Sequence, residues 1–146
     1  MEDQVEVKSQ VDEILHTFGG KKAHHVPNMC SDKVHNIKLH EGDWGSQESV
    51  KEWTYVTEGK VETFKEKFYI DEEKKEVHLT TLEGSTCLGI YKSYKIIFQL
   101  FARESTNVVK ITIEYEKRNE NAPPPQKYMS FIKSLIQDID AGLVNA

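Results

Sequence analysis

The sequence predicts an α+β domain in which one curved antiparallel sheet of seven strands wraps a long C-terminal helix. Three observations predict it. Apolar residues recur at every second position from about residue 33 to 118, helical spacing is confined to the two ends, and the links between the alternating segments are short. The predicted order is one strand, two short helices, six strands and one long helix.

Taken in order, Gln4-Val5-Glu6-Val7-Lys8 alternates and reads as a short strand. Ser9 with Asp12 three residues on has the form of a capping box, and Val11, Ile14, Leu15 and Phe18 then recur at helical spacing until Gly19-Gly20. Lys21 to Val26 reads as a second short helix ended by Pro27. Val34–His40, Val50–Val56, Val61–Ile70, Val77–Leu82, Tyr91–Ala102 and Val108–Glu116 are the remaining strands. Glu58-Gly59-Lys60 has the chemistry of a tight hairpin turn. After Pro123-Pro124-Pro125, the residues Tyr128, Phe131, Ile132, Leu135, Ile136, Ile139 and Leu143 form one apolar stripe, opposite Gln126, Lys127, Lys133, Gln137 and Asp140.

The chain has 146 residues, the size of a single domain, and residues 1–146 are read as one unit. Its 24 acidic and 19 basic residues are interspersed and sum to -5, which argues against a nucleic-acid partner. No apolar run reaches the length of a membrane span, and the start Met1-Glu2-Asp3-Gln4 lacks the form of a secretory signal, so a cytoplasmic location is expected. In a reducing compartment, Cys30 and Cys87 are expected as free thiols.

Five stretches of the chain carry a recognisable pattern: the run Ala23 to Asp32, the run Leu39 to Ser46, Leu82-Glu83-Gly84, Glu114-Tyr115-Glu116-Lys117 with Asn119-Glu120, and Asp138-Ile139-Asp140-Ala141. These are similar to stretches of the plant major latex proteins, a branch of the birch-pollen-allergen (START-like) superfamily. They fall in order along nearly the whole chain. The resemblance implies a helix-grip fold, a plant origin, a cytosolic location and a link to defence or stress responses. It also implies a hollow interior for hydrophobic or amphipathic small molecules of the steroid, flavonoid, hormone, alkaloid or fatty-acid class. Two features depart from the family pattern. The first strand is short, and the loop at Gly42-Asp43-Trp44-Gly45 has too few glycines for a phosphate cradle, so nucleotide binding is not carried over.

A seven-stranded sheet has more concave area than one helix can fill, so an internal cavity is expected. The residues expected on its wall are Trp53 and Tyr55, Val77, Leu79 and Thr81, Tyr94, Ile96 and Phe98, and Ile111 and Ile113 from the strands. Tyr128, Ile132, Leu135 and Ile136 would close it from the helix. Each of these, taken singly, is equally read as ordinary core. The three tyrosines are the most telling, because a buried phenol needs a partner that a ligand can supply. His24 joins the set from its place near the entrance that the family implies; a pair of surface or capping histidines, which would point apart if helical, is the plainer reading. Neither cysteine lies in a nucleophile motif, no metal-ligand spacing occurs, and no cofactor is expected. Lys65 and Lys67 read as an outer strand face, whereas the facing of Glu52, Glu66 and His78 stays open.

The function expected is a non-enzymatic carrier, monomeric or weakly dimeric. The alternatives are an enzyme of plant specialised metabolism that condenses or isomerises alkaloid-like substrates in the same cavity, and an interaction module with a filled interior.

Overall fold

The computed structural model describes residues 1–18, 22–83, 85–104 and 106–144. The expected helix stop at Gly19-Gly20, the start of the second helix at Lys21 and the break at Gly84 lie outside those residues.

The order of elements is the predicted one. Strand β1 (Glu2–Val7) is followed by helix α1 (Val11–Phe18), a 3-10 turn (Ala23–His25) and helix α2 (Val26–Met29). Six strands follow: β2 (Val34–Glu41), β3 (Glu48–Thr57), β4 (Lys60–Asp71), β5 (Glu76–Thr81), β6 (Tyr91–Phe101) and β7 (Asn107–Lys117). The last element is helix α3 (Gln126–Val144). All seven strands form one antiparallel sheet in the order β1-β7-β6-β5-β4-β3-β2. Short as it is, β1 pairs with β7 along its whole length, from Glu2 opposite Thr112 to Val7 opposite Asn107.

Local chemistry explains most of these boundaries. The β3–β4 hairpin turns on Glu58 and Gly59, both at positive φ (51° and 76°), the primed-turn geometry that matches strand twist. Between β2 and β3, Gly42 sits at φ 77°, and a Cβ there would lie 2.8 Å from the Glu48 carbonyl oxygen. Only glycine fits that corner.

Three local expectations are corrected. Pro27 does not end the second helix; it occupies the first turn of α2, where its missing N–H had no partner to lose. Ser9 does not cap α1. Its hydroxyl donates to the Asp140 carbonyl of α3, and the first free N–H groups of α1, from Glu13 and Ile14, reach the Gln10 carbonyl instead. The polar side of α3 is also less solvated than its spacing suggests. The Asp140 carboxylate accepts from the N–H groups of Lys8 and Ser9, and Lys133 pairs with Asp3 of β1 at 2.9 Å. These contacts tie the helix to the edge of the sheet at β1.

Period-two alternation then decides which side chains face α3. Trp53 and Tyr55, Phe64 and Phe68, Val77 and Leu79, Tyr94 to Leu100, and Ile111 with Ile113 are all buried with the apolar stripe of α3. Two groups of rings run through this core: Phe18 with Trp53, Phe68 and Phe98, and Tyr55 with Phe64, Phe131, Tyr94 and Tyr128; Phe18 lies 4.4 Å from Phe98, and Tyr55 is stacked on Phe64 at 5.0 Å.

Candidate functional site, an internal cavity with a polar row

Within the core, a gap lies between the middle of the sheet and α3. Its volume is about 40 Å³. It is bordered by Phe18 of α1, Trp53 and Tyr55 of β3, Phe64 and Glu66 of β4, Leu79 of β5, Ile96 and Phe98 of β6, and Tyr128, Phe131, Ile132 and Leu135 of α3. The gap exists where the sheet's concavity predicts it, but it is small. The physical reason is that large rings fill most of the space that sheet area alone leaves open. At about 15 Å³ per water, it holds two or three waters as it stands.

Eight of the fifteen expected wall residues border this gap: Trp53, Tyr55, Leu79, Ile96, Phe98, Tyr128, Ile132 and Leu135. Val77, Tyr94, Ile111, Ile113 and Ile136 face the same core but pack away from the gap against neighbouring side chains. Thr81 lies at the end of β5, half-buried, with its hydroxyl turned inward. His24 is exposed and belongs to no wall. The 3-10 turn that carries it sits on β2, and its ring lies 4.0 Å from that of His25 and 5.2 Å from Trp44. The two histidines therefore lie side by side and do not diverge.

Four bordering residues were not anticipated from the sequence: Phe18, Phe64, Glu66 and Phe131. Phe64 was recoverable, because it shares its alternation with Phe68. Glu66 was hidden by its lysine neighbours. Lys65 and Lys67 face out, as expected, so Glu66 must face in, and it is 3 % exposed. The other two residues of open facing lie outside. Glu52 accompanies His40 at 3.3 Å, and His78 accompanies Glu76 at 3.0 Å.

The sheet register lines up a polar row across this apolar face. Lys51 of β3 is opposite Glu66 of β4, Glu66 is opposite Thr81 of β5, and Tyr94 of β6 stands one step beyond the Thr80–Lys95 pair. Lys51 is fully buried, and its ammonium lies 4.4 Å from the centre of the Phe68 ring, a cation–π contact. Burial pushes the Lys51 amine down to about 8 and the Glu66 carboxyl up to about 8. The Oε2 of Glu66 and the hydroxyls of Thr81 and Tyr94 have no hydrogen-bond partner among the described residues, and neither does Nε1 of Trp53.

A second carboxylate, Glu62, lies four residues earlier on the same face of β4. The hydroxyls of Tyr55 and Tyr128 donate to its Oε1 at 3.1 and 2.8 Å, and Lys127 of α3 donates to its Oε2. Burial, together with the nearby Glu62 carboxylate, pushes both phenols well above their ordinary range. Two of the three telling tyrosines are thus satisfied by the protein itself, and only Tyr94 keeps an open hydroxyl.

Beyond the cavity, β4 leaves β5 early. The Ser85 side chain bonds both the N–H and the carbonyl of Lys65, and the Thr86 hydroxyl accepts from the Thr63 N–H. Those contacts fold a 3-10 turn (Thr86–Gly89) inward and bury Cys87 completely. Cys30 and Cys87 are both free; burial pushes the Cys30 thiol up to about 12 and Cys87 higher still, which makes both poor nucleophiles. The described residues hold no cluster suited to a metal ion, and no described helix is long and apolar enough to cross a membrane.

Comparison with known proteins agrees with this architecture. MLP-like protein 328 of Arabidopsis thaliana is 36% identical over 124 residues, spanning 84% of this chain and 82% of its own. The crystal structure of ginseng major latex-like protein 151 from Panax ginseng superposes with a TM-score of 0.91 at 33% identity, covering 97% of this chain and 95% of that one. Truncated norcoclaurine synthase from Thalictrum flavum shares the fold alone, at 18% identity and a TM-score of 0.72 over 99% of this chain and 91% of its own. The pattern of the pathogenesis-related protein Bet v 1 family matches residues 1–146 throughout. The chain belongs to the Bet v 1 family and is similar to its major latex proteins.

Proposed function

We propose that this protein is a cytosolic plant carrier that reversibly binds a hydrophobic or amphipathic small molecule between α3 and the concave face of the sheet. Its family, whose members bind hydrophobic small molecules, supports this reading, as does the link to defence or stress that the resemblance implies. The single observation that carries it is the gap under α3, walled by rings and aliphatic side chains yet holding the orphaned carboxyl oxygen of Glu66. A core built only for stability has no use for an unpaired buried acid. Binding is driven by burial of ligand surface, roughly 25 cal/mol per Å² before ordering costs.

A gap of about 40 Å³ is far below the roughly 300 Å³ of a drug-sized site, so ligand entry requires rings to move. Phe131 is the natural gate. It borders the gap, is only half-buried, and lies on the helix that closes the sheet. The test is a fluorescent apolar probe, expected to bind the wild-type chain at about 1 µM. Leu135→Trp fills the gap and should abolish binding while the far-UV circular dichroism stays unchanged. Undiminished binding by that variant puts the ligand elsewhere, and no binding by the wild type favours an interaction module with a filled interior.

One observation favours a second reading. A cavity carboxyl that holds its proton near neutral pH has the property of a general acid, and Tyr94 is close in the same row. Turnover of alkaloid-like carbonyl substrates, lost in Glu66→Gln, is the result that establishes an enzyme.

A further inference from the structure

The cavity's polar atoms constrain the chemistry of what fills it. Among the described residues, Glu66 Oε2 and Trp53 Nε1–H are unpartnered on residues that border the gap, and the unpartnered Thr81 and Tyr94 hydroxyls continue the same row beyond it, whereas both carboxylate oxygens of Glu62 are engaged. A wholly apolar guest would leave the first group unpaired, at a cost of about 1–3 kcal/mol for each polar atom it strands. A carboxylate guest fares worse. It would carry a negative charge out of water into an apolar pocket, with Lys127 already committed to Glu62 and the Lys51 ammonium lying over Phe68.

We propose that Glu66, supported by Thr81 and Tyr94, sets the specificity of this cavity and selects amphipathic amines over neutral and carboxylate-bearing ligands of the same shape. The inference rests on the carrier reading and deepens it. An ammonium group brings three donors and no acceptor, which suits an acceptor-only carboxylate. The two hydroxyls then donate to the remaining carboxylate lone pairs, and the bond to Glu66 becomes a charge-assisted one. The rings of Phe18, Phe98 and Tyr128 receive the apolar body.

Proton accounting follows from the burial of Glu66. Its carboxyl, pushed up to about 8, is mostly protonated at neutral pH in the empty protein. An alkylammonium arrives already charged. On binding, the Glu66 O–H bond breaks, its proton passes to the buffer, and an ammonium–carboxylate pair remains, so the net charge in the cavity stays zero. Amine binding therefore releases close to one proton per ligand, and binding of a neutral isostere releases none.

The experiment uses three probes of one shape: phenylpropylamine, butylbenzene and phenylbutyrate. Each is titrated calorimetrically into the full chain at neutral pH, in two buffers of different ionisation enthalpy. The amine is expected to bind at least about tenfold more tightly than butylbenzene, with phenylbutyrate weakest, and to release close to one proton. Glu66→Gln should bring the amine to within about twofold of butylbenzene and abolish proton release. Equal binding of the three probes by the wild type overturns the inference and leaves the carrier reading standing. An amine preference that survives in Glu66→Gln overturns it too. Absence of binding by any probe overturns the carrier reading and this inference with it. Should the variant fail to fold, the wild-type ranking and its proton release decide the matter alone.

Discussion

Two carboxylates four residues apart on one strand, facing the same way and equally buried, have opposite surroundings. Glu62 is enclosed by two phenols and a lysine; Glu66 borders an empty space and keeps an oxygen without a partner. The difference comes from what lies across from each. Opposite Glu62, the first turn of α3 supplies Lys127 and Tyr128. Opposite Glu66, α3 borders the gap with Phe131, Ile132 and Leu135, and the register supplies Lys51, whose ammonium lies over Phe68, and Thr81, whose hydroxyl has no hydrogen-bond partner among the described residues. One end of the interior is built as structure, and the middle is left open to a guest.

The contrast is broken most forcefully at Glu62. Glu62→Leu strands two buried hydroxyls and the half-exposed Lys127, and it should destabilise the fold by about 3 kcal/mol in urea unfolding. The same change at Glu66 should be neutral or stabilising by about 1 kcal/mol, because it removes a buried group that the protein does not satisfy. Equal losses at both positions would mean that Glu66 has a partner in solution and that the contrast is false.

The pH profile sharpens the comparison further. The Glu66 pKa is raised from 4.5 to about 8, so between those values the folded chain holds a proton that the unfolded chain has lost, and stability falls as pH rises through that window. The Lys51 pKa is lowered from 10.5 to about 8, so between 8 and 10.5 the unfolded chain binds the extra proton, and stability rises with pH. Together the two groups produce a minimum near pH 8. Glu66→Gln should flatten the acidic limb and Lys51→Met the alkaline limb, read as denaturation midpoints across the range. A smaller effect is expected far from the cavity. Gly42→Ala must hold φ 77° and push against the Glu48 carbonyl, at a cost of about 1–2 kcal/mol, without changing the affinity of any cavity ligand.

The fold was legible in the sequence because two signals agreed. Alternation through the six central strands and the helical stripe from Tyr128 to Leu143 each assign one face, and the order from β2 to β7 follows from short connections, whereas the pairing of β1 with β7 does not. What was not legible depends on distances that periodicity does not contain. Alternation placed Leu79, Ile96 and Phe98 on the inner face, but the same rule applied to Ile111 and Ile113, which pack away from the gap. Inward facing is a property of a strand; bordering a cavity is a property of neighbours on four elements. Glu66 shows the limit most clearly. Its facing stayed open in the sequence, although the pleat forces a residue between two outward lysines to the inside. Tyr55 and Tyr128 were expected to await a ligand, and Glu62, another acid hidden in a strand, satisfies both.

The most direct test is a crystal structure of the full chain grown with phenylpropylamine. The account predicts the ligand under α3, its nitrogen within hydrogen-bond distance of the Glu66 carboxyl and the Phe131 ring displaced to admit its body. A closed core that holds only water, with the amine bound at the surface or absent, would contradict it.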